Sequence, residues 1–144
     1  MPDLLTYDYA VVRIVPRVER GEFVNAGVIM SCAAKGYLEV RIELEDARLL
    51  ALDPSVDLEA IKANLSTIPA ICMGGEKAGP IGRLSVRERF HWLVAPRSTI
   101  IQTSAVHMGR CTDLGAALER LLDKMVRPPS PSSLSPNGNP QTDL

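Results

Sequence analysis

Arg87, His91, Trp92 and Arg97 fall within the single stretch "RERFHWLVAPRSTIIQTS", which also holds the chain's only tryptophan. Arginine offers a planar fork for phosphate or carboxylate, histidine a proton acceptor near neutral pH, and tryptophan a stacking surface. The segment before it, "MGGEKAGPIGR", is rich in glycine and leads into a helix start. Such a loop can turn free N–H groups toward an anion, with Arg83 and Arg87 adding charge. No G-K-[ST] sequence is present and no strand directly precedes the loop, so this is not a Walker A motif. After Pro96, Arg97, Ser98 and Thr99 stand where the chain enters a strand whose hydroxyls would bond either a ligand or neighbouring backbone. Arg13 lies inside an apolar strand. A buried guanidinium must be paired, and Glu39, Glu43 and Glu88 are the partners considered, an anionic ligand being the alternative.

Catalytic constellations are sparse. The two histidines, His91 and His107, show neither HxxxH nor HExxH spacing, so no metal site is expected. His107 and Cys111 have the spacing of a helical pair, but Gly109 between them argues against a helix there. Glu88 and His91 would support acid–base chemistry only if a cleft brought them together. Nothing in the sequence calls for a cofactor.

The elements that must position these residues follow from periodicity. "YDYAVVRIVP" is apolar on both faces and reads as a central strand covered on both sides. "AGVIMSC" behaves in the same way. "YLEVRIEL" alternates cleanly and reads as a half-exposed edge strand. The three predict an antiparallel meander, and "STIIQTS" predicts a fourth strand. Helices are expected over "DARLLAL", over "DPSVDLEAIKANLSTI" with Pro54 near its start and Pro69 ending or kinking it, and over "TDLGAALERLLDKMV". The Gly-rich segment is expected to be a loop. Between it and Pro96, "SVRERFHWLV" opens with Ser85 and Glu88 at capping-box spacing. At the helical repeat Val86, Phe90, Leu93 and Val94 share the core side, whereas Trp92 falls roughly opposite. Trp92 is therefore either covered by a neighbouring segment or free as an anchor for a partner.

The fold class is thus α+β: a mainly antiparallel sheet of about four strands with helices packed on it. Residues 1–127 are read as one domain, and residues 128–144, rich in Pro and Ser, as a disordered tail. The net charge of −1 gives no bulk attraction to nucleic acid, which stays a secondary reading. The charge is uneven, however. Residues 80–111 hold five arginines against one glutamate. No apolar run approaches the ~18–20 residues that a membrane span needs. The N-terminus has neither a charged nor an apolar leader region, and Cys32, Cys72 and Cys111 form no CxxC. A cytoplasmic protein with reduced thiols is expected.

Two stretches, "YDYAVVRIVPRVERGEFVNAGVI" and "RERFHWLVAPRSTIIQTS", resemble the bacterial domain-of-unknown-function family numbered 3037, over about Leu5 to Arg127. The resemblance brings no catalytic residues and no established activity. It implies a neighbouring gene for a kinase-related protein of the HipA type, and hence a partner or regulatory module more than a free-standing enzyme. Two readings follow. One is a non-catalytic module that docks on a partner through the Trp92 side of its helix. The other is a phosphate-, nucleotide- or nucleic-acid-handling protein that uses the arginines of residues 83–97.

Overall fold

The computed structural model describes residues 3–129. Strands β1 (Leu5–Ile14), β2 (Val24–Cys32) and β3 (Tyr37–Ile42) form the expected antiparallel meander. Between Val12 and Arg13 the pairing shifts, because β2 carries Ala26 as an extra residue in a β-bulge. The bulge flips the inward parity of β2. Val24 and Ala26 face one core, and Val28 and Met30 face the other. At the bulge Gly27 lies against the Arg41 carbonyl so closely that a Cβ would collide with it.

The return strand departs from expectation. Instead of one strand over residues 98–104, the chain runs back along β1 as two, β4 (Ile101–Thr103) and β5 (His107–Cys111). They are separated at Ser104. Its N–H donates to the Val11 carbonyl at 2.9 Å, and its Oγ accepts from the Val11 N–H at 2.9 Å. A hydroxyl thus stands in for a ladder carbonyl while the strand bends. "HMGRC" carries no alternating apolar pattern, because it lies at a sheet edge where His107, Met108 and Arg110 are exposed.

Among the described residues five helices cover the sheet: α1 (Asp46–Leu52), α2 (Leu58–Leu65), α3 (Thr67–Met73), α4 (Val86–Leu93) and α5 (Leu114–Met125). The single helix expected across residues 53–68 is two. Asp57 caps α2 by accepting from the Ala60 N–H, which leaves Pro54 in the preceding turn. Pro69 lies in the first turn of α3, four residues after Leu65, where α2 ends, and its missing N–H denies the Leu65 carbonyl the bond that would join the two helices. The Gly-rich segment is not an open loop but a kinked 3₁₀ run, Glu76–Arg83, with non-helical backbone at Gly79.

Helices α1–α4 lie on one face of the sheet around Val12, Ile14, Ile29, Leu49, Ile61 and Phe90. Helix α5 lies on the other, with Leu118 and Leu122 against Val11, Val28 and Met30. The two-sided apolar pattern of β1 is met by these two cores, each fully buried Leu or Ile contributing about 1.5–3 kcal/mol. The tail reading falls from residue 130 onward outside the described residues. Among the described residues no helix is long and apolar enough to cross a membrane.

Candidate functional site

Helix α4 begins with the expected capping box. Ser85 Oγ accepts from the Glu88 N–H at 3.1 Å, and Glu88 Oε1 accepts from the Ser85 N–H at 3.0 Å. The Ser85 N–H, and after it the Ser85 hydroxyl, hold the Glu88 carboxyl below its ordinary range. The carboxylate is thereby spent on the helix terminus, and His91 is exposed with its ring tilted against Phe90. Phe90 and Leu93 are buried, as the helical spacing requires.

Arg89 is buried as well, at 8% exposure, and its role was missed. Its Nη1 donates to the carbonyls of Ile71 and Cys72 at 2.7 and 2.6 Å, and its Nε donates to the Leu84 carbonyl at 3.1 Å. The guanidinium thus ties the C-terminal end of α3 to α4. Gly74, with φ +76, lets the backbone pass beside it, since a Cβ there would sit 3.0 Å from the guanidinium carbon. The signal lay in the spacing. Arg89 is three residues after Val86 and four before Leu93, on the apolar stripe itself.

Trp92 is 41% exposed. Its indole is stacked by Arg97, whose guanidinium carbon lies 4.5 Å from the ring centroid. Arg97 also donates to the Trp92 carbonyl at 2.7 Å and to the Leu93 carbonyl at 3.0 Å, capping the negative end of α4. One guanidinium therefore fixes both the helix end and the ring orientation. Ser98 and Thr99 are exposed on the following turn, which is held by Thr99 Oγ1 donating to the Ile101 carbonyl and Gln102 donating to the Thr99 carbonyl.

These residues border one open groove of about 610 Å³ between β4 and helices α2–α4. Val18, Ile100 and Trp92 supply its exposed apolar surface, and Asn64, Thr67 and Gln102 supply polar groups. A hollow of about 320 Å³ adjoins it at Asn64 and Ile100 and contains Asp53. The Asp53 carboxyl is lowered first by the Ser55 hydroxyl, then by the Ser55 N–H and by Arg17 at 3.1 Å. A larger hollow of about 740 Å³ beside Leu44 and Pro69 is crossed by the Lys62–Asp46 ion pair and holds none of the singled-out residues.

The arginines do not converge. Arg83 and Arg87 are exposed at the start of α4, and Arg97 lies past its end. Within the Gly-rich segment the Gly75 N–H donates to the Gly82 carbonyl and the Ala78 N–H to the Gly75 carbonyl, so these donors are turned inward. Arg13 sits on β1 with its guanidinium over Phe23, at 4.2 Å, and makes no ion pair with Glu39, Glu43 or Glu88. Glu43 is instead bound to Arg127.

Groups suited to catalysis stay apart. His107 and Cys111 are four residues apart on an extended strand, about 13 Å. Burial pushes the Cys72 thiol up to about 12, which makes it a poor nucleophile. Among the described residues no three or more His, Cys, Asp or Glu side chains group as metal ligands.

Comparison with known proteins gives a family and no function. No curated protein and no solved structure matches the chain. Residues 9–126 match the family described as protein of unknown function, DUF3037, and the chain belongs to that family.

Proposed function

We propose that this chain is a non-catalytic interaction or regulatory module of the bacterial cytoplasm, which docks a partner protein in the groove beside Trp92. The observation that carries the reading is the gathering of exposed apolar side chains in one place. Val18, Trp92 and Ile100, at 43%, 41% and 44% exposure, all border the same groove. Scattered exposed apolar residues are ordinary, but a contiguous set rimmed by polar groups marks an interaction surface, and tryptophan is among the residues that anchor one. Arg97 holds the indole in a set orientation before any partner arrives, which lowers the entropy lost on docking. The family resemblance makes a kinase-related protein the first partner to test. Three free, buried cysteines fit a reducing compartment. The anion-handling alternative has less support, because Arg83 and Arg87 stand at the opposite end of α4 from Arg97 and cannot close on one ligand.

The test is co-expression of the tagged chain with a kinase-related protein of the HipA type, the partner class the family resemblance implies, followed by affinity capture. The expected result is a stoichiometric complex, weakened at least about tenfold by Trp92→Ala and by Ile100→Asp in variants that remain folded. Capture that both variants leave unchanged would overturn the groove as the docking surface.

A further inference from the structure

The groove beside Trp92 also selects the shape and charge of its occupant, an inference that rests on the docking reading above. One wall of the groove is β4, and no strand among the described residues pairs with the outer side of β4. The hydrogen bonds to β1 show which backbone groups point outward. The Ile100 carbonyl accepts from the Val15 N–H at 2.6 Å, and the Ser104 N–H donates to the Val11 carbonyl at 2.9 Å. Antiparallel pairs alternate, so residues 100, 102 and 104 turn toward β1, and Ile101 and Thr103 turn away from it. Thr99 Oγ1 already donates to the Ile101 carbonyl. The Ile101 N–H and both backbone groups of Thr103 are left facing outward, at the spacing a further strand would use. The side chains fit the same occupant. Ile101 packs on the core around Val12 and Ile14, and Ile68, Ile71 and Leu93 form the facing helical wall. That core layer is open at the sheet edge, with Val18, Trp92 and Ile100 exposed at its mouth. An extended chain along β4 would turn alternate side chains into the opening. A helix spends its backbone groups internally and could not engage the edge.

Charge narrows the choice further. Among the described residues that line the groove none is acidic, and Arg97 alone is charged. Two of its five N–H donors go to the Trp92 and Leu93 carbonyls, and the rest are open to a carboxylate. Asp53 and Asp57 line the adjoining hollow but are engaged, Asp53 by Ser55 and Arg17 and Asp57 by the Ala60 N–H. Glu88 is held by Ser85, and Glu19, next to Val18, lines a separate hollow. We propose that the groove binds an extended, acidic segment of the partner, which adds to β4 as a further strand. Its apolar side chains enter beside Trp92, and one of its carboxylates meets Arg97.

The experiment selects a displayed library of random peptides, each about ten residues long, on the full chain. Synthetic copies of the enriched peptides are then added to the ¹⁵N-labelled full chain, and amide hydrogen exchange is followed by NMR. The expected peptides carry Asp or Glu and alternate apolar with polar residues. Binding should slow exchange of the Ile101 and Thr103 amides at least about tenfold, and amides in place of the peptide's carboxylates should weaken binding at least about tenfold. Thr103→Pro removes an outward donor, spares the ladder to β1 and should abolish binding. Four results would each overturn the proposal: no enriched peptide, enriched peptides without acid or alternation, binding that leaves both amides exchanging as in the free chain, or binding that survives Thr103→Pro. Protection of the two amides in a self-associated free chain would overturn it too, by making a second copy the occupant. The unsubstituted chain decides all but one of these, so a misfolded variant does not stall the test. A peptide that Trp92→Ala releases but that leaves the amides unprotected would sink strand addition alone and leave the docking groove standing. Failed capture of the kinase-related protein would count against that partner and not against the peptide result.

Discussion

Between the end of β3 and helix α5, positive charge is matched by negative. Arg127 binds Glu43 at 2.7 Å, Glu119 at 2.9 Å and Asp123 at 2.8 Å, and Arg41 joins the cluster through Glu119. Around α4 the arginines meet no acid. Arg89 is held by three backbone carbonyls, and Arg97 by two more and an indole ring. Both arrangements satisfy the guanidinium, but they respond to solution conditions differently. An exposed ion-pair cluster weakens with salt and acid, whereas a bond to a carbonyl has no titrating partner. The α4 side also keeps its positive charge, next to the exposed apolar groove. One region pairs its charges with each other, and the other satisfies its guanidinium groups on backbone carbonyls beside exposed apolar surface.

The largest effect that would break this contrast is at Arg89. Arg89→Leu leaves the carbonyls of Ile71, Cys72 and Leu84 without their donor and should cost about 3 kcal/mol in urea unfolding. The loss should be nearly the same from pH 4 to 8 and at any salt. Strong pH dependence there would erase the distinction between the two regions.

A smaller loss of opposite character is expected for Arg127→Ala. Arg127 holds the Glu43 and Glu119 carboxyls below the ordinary value of 4.5, chiefly by hydrogen bonds to them. A depressed folded-state value contributes stability that is present above 4.5 and lost as the pH falls through the folded value. The difference between the parent chain and Arg127→Ala should therefore shrink below about pH 4.5, and shrink in high salt, when unfolding is measured across a pH series. A difference that holds constant in acid would contradict the ion-pair account.

Trp92→Ala should lower stability by about 1–2 kcal/mol, below the ~3–5 kcal/mol of a buried tryptophan, because 41% of the residue is already in solvent, and yet weaken partner capture at least tenfold. A large stability loss without a binding loss would make Trp92 a core residue. Smallest of all, Arg83→Ala and Arg87→Ala should shift stability within about 0.5 kcal/mol and leave capture unchanged. A binding loss at either would move the surface to the start of α4 and restore the anion reading of the Gly-rich segment.

The parts of the fold that were legible in the sequence are those where one physical rule acted alone. The three-strand meander, the two-faced β1, the Ser85–Glu88 box and the stripe of α5 each follow from periodicity or capping. The misreadings fall where rules compete. β5 hides its strand character behind edge exposure. Arg89 drew no separate reading, although its position on the apolar stripe required burial. In the candidate site, Trp92 off the core side was readable from α4. Its stacking by Arg97 was not, since that contact depends on how the chain turns after Pro96. The orphaned Arg13 was readable only as a question, because the answer depends on which acids the fold gives to other arginines.

The most direct test of the docking account uses Trp92 itself. It is the chain's only tryptophan, so intrinsic fluorescence reports on the groove without a label. On adding the proposed kinase-related partner, the account predicts a blue shift of the Trp92 emission and protection of the indole from acrylamide quenching, both saturating with complex formation. A complex that forms while the emission and the quenching stay as they are in the free chain would contradict it.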